Sequence, residues 1–217
     1  MAVENLTIAP FFATSRNPYN YVKVEQISRD VATAWLTLEE CTQQLNLFDD
    51  ESQDTYISSV ELATRMAIED YLGMAIFATS YRCYYGNIGL YNTQVFLDLP
   101  EVSQGILGVT INAVYYYGSS NTVPILIDPA DYSYDPTGNR VILNDIPNTL
   151  NQVVANPIFV EYTANASDLA SYPVIKQAGL MLLTHLYNNR SDTTEANLKQ
   201  IPFGVAALLR PYKPLVM

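Results

Sequence analysis

Positive charge is scarce in this chain. Its 217 residues hold 11 lysines and arginines against 22 aspartates and glutamates, a formal net charge of −11. Tight nucleic-acid binding draws on Lys and Arg at the phosphates, so the composition argues against it. Histidine is scarcer still. His185 is the only one, and without paired cysteines it argues against a zinc site. The two cysteines, Cys41 and Cys83, match neither a metal spacing nor a disulfide framework. They read as buried free thiols in a reducing compartment. No apolar run approaches the ~20 residues of a membrane helix, and the N-terminus lacks the basic segment and apolar run of a signal peptide. There is no Gly-x-Ser-x-Gly elbow, no Gly-rich phosphate loop and no His-Glu-x-x-His. Without a nucleophile–base set, no enzyme activity, metal or cofactor is expected. Charged residues of either sign make up only 15%, which suits a surface partly covered by partners.

What is present begins with an irregular stretch, 1–35, read as an extended arm with one strand at Tyr21–Ile27. Thr37 followed by Glu40 is a capping box, in which side chains satisfy the free N–H groups of a first helical turn. Leu38, Cys41 and Leu45 follow at helical spacing and predict a helix of about three turns. Asp49 and Asp50 are placed to cap a second helix, with Glu51 and Asp54 complementing the positive end of its dipole. These acids have the density of a calcium loop but not its alternating order or glycine, so capping is the reading preferred. The second helix carries Tyr56, Ile57, Val60, Ala63, Ala67, Ile68 and Tyr71, and Gly73 is placed to end it.

After Gly73 the composition turns to Tyr, Val, Ile, Phe and Thr, punctuated by Gly and Pro. Strands are predicted at Phe77–Tyr85, Val95–Leu99, Val109–Tyr117, Val123–Ile127, Arg140–Leu143 and Ile158–Thr163. Asp135-Pro136-Thr137-Gly138 is a turn. Helical spacing returns at Ser171, a cap, with Pro173 in the first turn and Val174, Ala178, Met181, Leu182 and His185 on one side. A histidine in such an apolar helix is ordinarily a core or interface residue. A short last helix is predicted at Val205–Leu209, stopped by Pro211 and Pro214. The expected fold is therefore α+β: a helical subdomain, two N-terminal helices plus a C-terminal helix, with an inserted antiparallel β subdomain. The boundaries drawn are 1–35 for the arm, 36–74 and 166–210 for the helical subdomain, 75–165 for the β insertion and 211–217 for a tail.

Charge is unevenly spread. Glu39 to Asp70 holds nine acids and one base, Arg65, whereas Lys176 to the end holds five bases and two acids. Such asymmetry suits head-to-tail self-association, although a solvated acidic helix face explains it equally well. Seventeen tyrosines are many. In Tyr115-Tyr116-Tyr117 at most two share a strand face, so they form either an aromatic core face or a contact surface.

Two stretches carry a resemblance when taken together. One is Leu36-Thr37-Leu38-Glu39-Glu40-Cys41 with Leu45, Asp49-Asp50 and the helix ending at Gly73. The other is His185-Leu186-Tyr187-Asn188-Asn189-Arg190 with Ile201-Pro202-Phe203-Gly204-Val205-Ala206-Ala207-Leu208-Leu209-Arg210-Pro211-Tyr212-Lys213. Over about residues 36–213 the chain resembles the head–tail connector (adaptor) family of tailed bacteriophages, in its longer form with an inserted β region.

The resemblance implies a structural virion protein assembled in the host cytoplasm and located in the neck. It implies a ring, dodecameric to match the portal, that docks on the portal protein and extends the DNA channel. The ring would also offer a platform to a downstream neck or tail protein. DNA would pass without specific binding, and no membrane or cofactor is involved. The candidate portal or neighbour interface is Pro202, Phe203, Gly204, Leu208 and Leu209, continued by Arg210, Tyr212, Lys213, Pro214 and Leu215, with Gly204 permitting a tight turn that lets Phe203 anchor. The candidate channel-facing acids are Asp49, Asp50, Glu51, Asp54 and Glu61. The alternative is a β-rich tail, baseplate or host-surface binding module carried by the Tyr-rich segment.

Overall fold

The computed structural model describes residues 20–48, 51–86, 95–100, 108–119, 122–145, 147, 149–151, 153–166, 171–190 and 203–213, the side chain of Phe203 excepted. The described elements are β1 (Tyr21–Arg29), α1 (Leu38–Leu45), α2 (Asp54–Leu72), β2 (Thr79–Tyr85), β3 (Val95–Asp98), β4 (Val109–Tyr117), β5 (Pro124–Leu126), β6 (Tyr132–Asp135), β7 (Arg140–Leu143), β8 (Ile158–Ala164), α3 (Pro173–Asn188) and α4 (Phe203–Leu209). The fold is α+β with antiparallel sheets, as expected. One sheet has the order β1-β2-β8-β4-β5 and the other β3-β7-β6. Contacts divide the chain into two compact units. The first takes described residues up to Glu25, from Arg82 to Pro100 and from Ile111 to Glu161. The second takes Gln26–Tyr81, the stretch ending at Thr110, and the chain from Tyr162 onward. The divisions fall inside strands, at 81/82 and 161/162, rather than at 74/75 and 165/166. Within the second unit, Tyr81 stacks on Tyr162 at 5.6 Å and Ser80 hydrogen-bonds Thr163 at 3.0 Å, which ties these strand ends to it.

The second unit is helical. Thr37 Oγ1 accepts from Glu40 N at 3.1 Å and Glu40 Oε2 accepts from Thr37 N at 2.9 Å, the capping box read from the sequence. Helix α1 then runs eight residues, two turns rather than three, because Asn46 takes a left-handed conformation (φ 56°) and turns the chain away. Asp49 and Asp50 lie outside the described residues. A 3-10 turn, Glu51–Gln53, leads into α2; Gln53 holds the N-cap position without a side-chain capping bond, its Oε1 accepting instead from Tyr187 Oη and Arg190 at 2.6 Å each. Gly73 ends α2 at φ 68°, a conformation that glycine adopts without a Cβ penalty. Helix α3 starts at Pro173 with Tyr172, not Ser171, in the cap position. Helix α4 begins two residues earlier than predicted and runs on into a 3-10 turn, Arg210–Tyr212, that includes Pro211. Trp35, Leu36, Ile57, Ile68, Leu72, Ile175, Leu182, Leu183, Val205 and Leu209 form the shared core. At Gly179 on α3 an added Cβ would lie 2.6 Å from Trp35 Cζ3, so the indole is seated against bare backbone.

One face of α2 buries Glu61, Arg65 and Glu69 at four-residue spacing, so that they stack along the helix. Each holds backbone groups of a neighbouring segment. Glu61 Oε1 accepts from Trp35 N and Leu36 N at 3.0 and 3.1 Å. The Arg65 guanidinium donates to Thr33 O at 2.6 Å and to Asp30 O, and lies 4.9 Å over the Phe77 ring. Glu69 Oε1 accepts from Ile76 N at 2.7 Å and Phe77 N at 3.3 Å, and its other oxygen pairs with Arg29 at 2.6 Å.

The first unit is β. Strands β4 and β5 pair antiparallel, Tyr115 opposite Leu126, and β7 pairs with both β3 and β6. The four-residue β6 was not predicted. It lies between the Pro129 turn and the Asp135-Pro136 turn, where punctuation masks so short a run. Phe159 is ringed by Tyr84, Tyr115 and Tyr117 at 5.5, 5.0 and 5.9 Å, with the Arg82 guanidinium 5.0 Å over its face. Arg82 Nε in turn donates to Glu161 at 2.9 Å. Tyr115 and Tyr117 thus share one strand face, as their alternation requires.

Candidate interface surfaces

The α3–α4 end of the helical unit carries the candidate interface. Leu209 and Val205 point into the core and are fully buried, so the expectation that Leu209 meets a neighbour is corrected: helical spacing turns it to the same side as Val205. Gly204, Ala207, Arg210, Pro211 and Lys213 are exposed, while Leu208 and Tyr212 are half-buried. Gly204 has no left-handed conformation and makes no tight turn. It lies in the first turn of α4, where an added Cβ would come within 3.3 Å of Met181 Cε, so its smallness serves helix contact instead. Tyr212 packs on Tyr172 at 5.9 Å, and Lys213 Nζ lies 5.0 Å over the Tyr71 ring. Pro202, Pro214, Leu215 and the Phe203 side chain lie outside the described residues.

Of the candidate channel acids, Glu51 is exposed and Asp54 half-buried. Glu61, expected to face a channel, is instead 5% exposed and committed to two backbone N–H groups. It sits at an apolar groove of ≈ 240 Å³ whose walls include Val31, Ala34, Leu38, Ile57 and Leu62. The spacing of Glu61, Arg65 and Glu69 with Ile57, Ile68 and Leu72 places them on one stripe, and that register is the signal by which their burial could have been found.

Little else has the chemistry of a reactive centre. His185 is half-buried, and the Asn189 side-chain amide donates to its carbonyl at 2.7 Å. Burial pushes both the Cys41 and the Cys83 thiol up to about 12, so neither is a thiolate at neutral pH. Among the described residues no three His, Cys, Asp or Glu side chains gather as a metal site, and no helix is long and apolar enough to cross a membrane.

A helical unit and a β unit, with apolar and charged surface left open at the α3–α4 end, define the fold class. No family model and no curated protein matches the sequence. Solved structures do match the fold. A chain from the neck of an empty gene transfer agent particle, computed with C6 symmetry, superimposes with a TM-score of 0.60 at 20% identity, covering 90% of this chain and 97% of that one. A chain from the virion of the native gene transfer agent particle gives 0.58 at 19% identity, with the same coverage. A chain from the native particle's neck, computed with C12 symmetry, gives 0.52 at 18%, again over 90% and 97%. The chain therefore shares a fold with these particle proteins over nearly its whole length.

Proposed function

We propose that this chain is a structural subunit of a ring in the neck of a phage-like virion, with no enzymatic activity. The observation that carries the reading is the fold shared, over 97% of their length, with chains of particle necks solved under C6 and C12 symmetry. Twelve copies docked on the portal protein would extend the DNA channel and offer a platform to the next neck or tail protein. The net charge of −11 supports a channel through which DNA slides without sticking. Asp49, Asp50, Glu51 and Asp54 are the acids assigned to that channel. The tail from Pro211 to Met217, with two prolines that do not extend an α-helix, is assigned to the portal.

The test is negative-stain electron microscopy of the purified chain, alone and mixed with its portal. Rings stacked coaxially on the portal are expected, and removal of Lys213–Met217 should abolish the stacking while leaving the fold intact. Monomers that ignore the portal, together with an affinity of the chain for cells or sugars, would replace this reading with a host-surface binding module.

A further inference from the structure

Among the described charges of the helical unit, two without an ion-pair partner differ from the rest in their surroundings. The first is Arg210. The other described cations are engaged. Lys23, Arg29, Arg82, Arg140 and Lys176 pair with carboxylates. Arg65 is held by carbonyls, and Arg190 and Lys213 lie over tyrosine rings. Arg210 alone is exposed without such a contact among the described residues, on a strip made by Met181, Gly204, Ala207 and Pro211. The second is Glu61, buried at the apolar groove and satisfied by backbone N–H groups but by no cation.

An apolar slot with a carboxylate in its lining suits an arginine, whose aliphatic stem packs on the walls while its guanidinium meets the charge. The two residues do not meet within one subunit. Tyr71 Oη donates to Ala206 O at 3.5 Å and Lys213 lies over the Tyr71 ring, so the end of α4 sits beside Tyr71. Glu61 lies ten residues further toward the N-terminus of α2, roughly 15 Å away at the rise of an α-helix.

We propose that Arg210 of one copy inserts into the Glu61 groove of the next copy, the strip around Arg210 packing on the groove's apolar walls. The inference rests on the ring reading and supplies its contact. Because the two patches differ and lie on one chain, the contact repeats head-to-tail and closes if the rotation allows.

Sedimentation velocity of the full chain at low salt tests it, using R210E and V31K, both at exposed positions. R210E sets a carboxylate against Glu61, and V31K sets an ammonium at the rim against the incoming guanidinium. Each variant alone should self-associate about thirtyfold more weakly than the wild type, or worse. An equimolar mixture should regain association to dimers at least, because the groove of R210E and the Arg210 of V31K remain competent for each other. Variants that associate like the wild type, or a mixture that stays monomeric, would overturn this contact and leave the ring reading standing. A wild-type chain that stays monomeric at millimolar concentration would overturn this contact, and one that also ignores the portal would overturn the ring reading.

Discussion

Replacing Gly179 by alanine sets two effects of similar size against each other. Alanine in a helix interior is favoured over glycine by up to ~1 kcal/mol. Here the new methyl would lie 2.6 Å from Trp35 Cζ3 and 2.7 Å from Cη2, well inside contact distance. The indole is 6% exposed and has Leu36 beside it at the same glycine, so it has little room to retreat. Overpacking of this kind costs ~1–3 kcal/mol, and we expect the clash to win by about 1–2 kcal/mol after the helix gain. Trp35 is the sole tryptophan. Its emission therefore follows unfolding of the helical unit alone, and a red shift in the native spectrum would report the displaced ring. With an m-value of about 2 kcal/mol/M, the urea midpoint should fall by roughly 0.5–1 M. A midpoint equal to or above the wild type, with unchanged emission, would show that the glycine is not required by the indole.

Three further outcomes follow from the geometry. Glu61→Ala strands the Trp35 and Leu36 amides, at about 1–3 kcal/mol each, whereas Glu61→Gln keeps an acceptor and should lose much less. Equal denaturation midpoints for the two variants would contradict that role. The Thr37 amide, and after it the Lys176 ammonium, hold Glu40 below the usual carboxylate range. A depressed folded value gives stability that is complete above the unfolded value and lost as pH falls through the folded one, so melting temperature should drop more steeply toward about pH 3 in the wild type than in Glu40→Gln. Parallel curves would refute the linkage. Finally, an aromatic disulfide reagent at mildly alkaline pH should titrate neither Cys41 nor Cys83 until denaturant is added. Rapid labelling of the native chain would show that the burial is wrong.

Much of the fold was legible because local signals agreed with the tertiary outcome. The Thr37–Glu40 box, Gly73 as a stop, and the strands Val109–Tyr117 and Arg140–Leu143 all depend on neighbours in sequence. Where a residue's role was set by distant chain, reading failed. Glu61 looked like one more acid on an acidic helix, and its true partners are the amides of Trp35 and Leu36, 26 and 25 positions away. Leu209 looked like part of an exposed ending and is core. Helix α2 starts only at Asp54 because the preceding turn, Glu51–Gln53, is a 3-10 turn, which the spacing of apolar residues does not separate from it.

The charged stripe of α2 also bears on how such a protein tolerates change. Glu61, Arg65 and Glu69 grip the amides and carbonyls of 30–36 and 76–77, atoms that every residue but proline's missing N–H supplies alike. The side chains of those connecting segments are thereby released from the task of fixing their own path. Their sequences can drift while the scaffold stays put, provided three positions on one helix do not. A fold held in this way can outlast most of its lettering, which fits backbones that still superimpose at 18–20% identity.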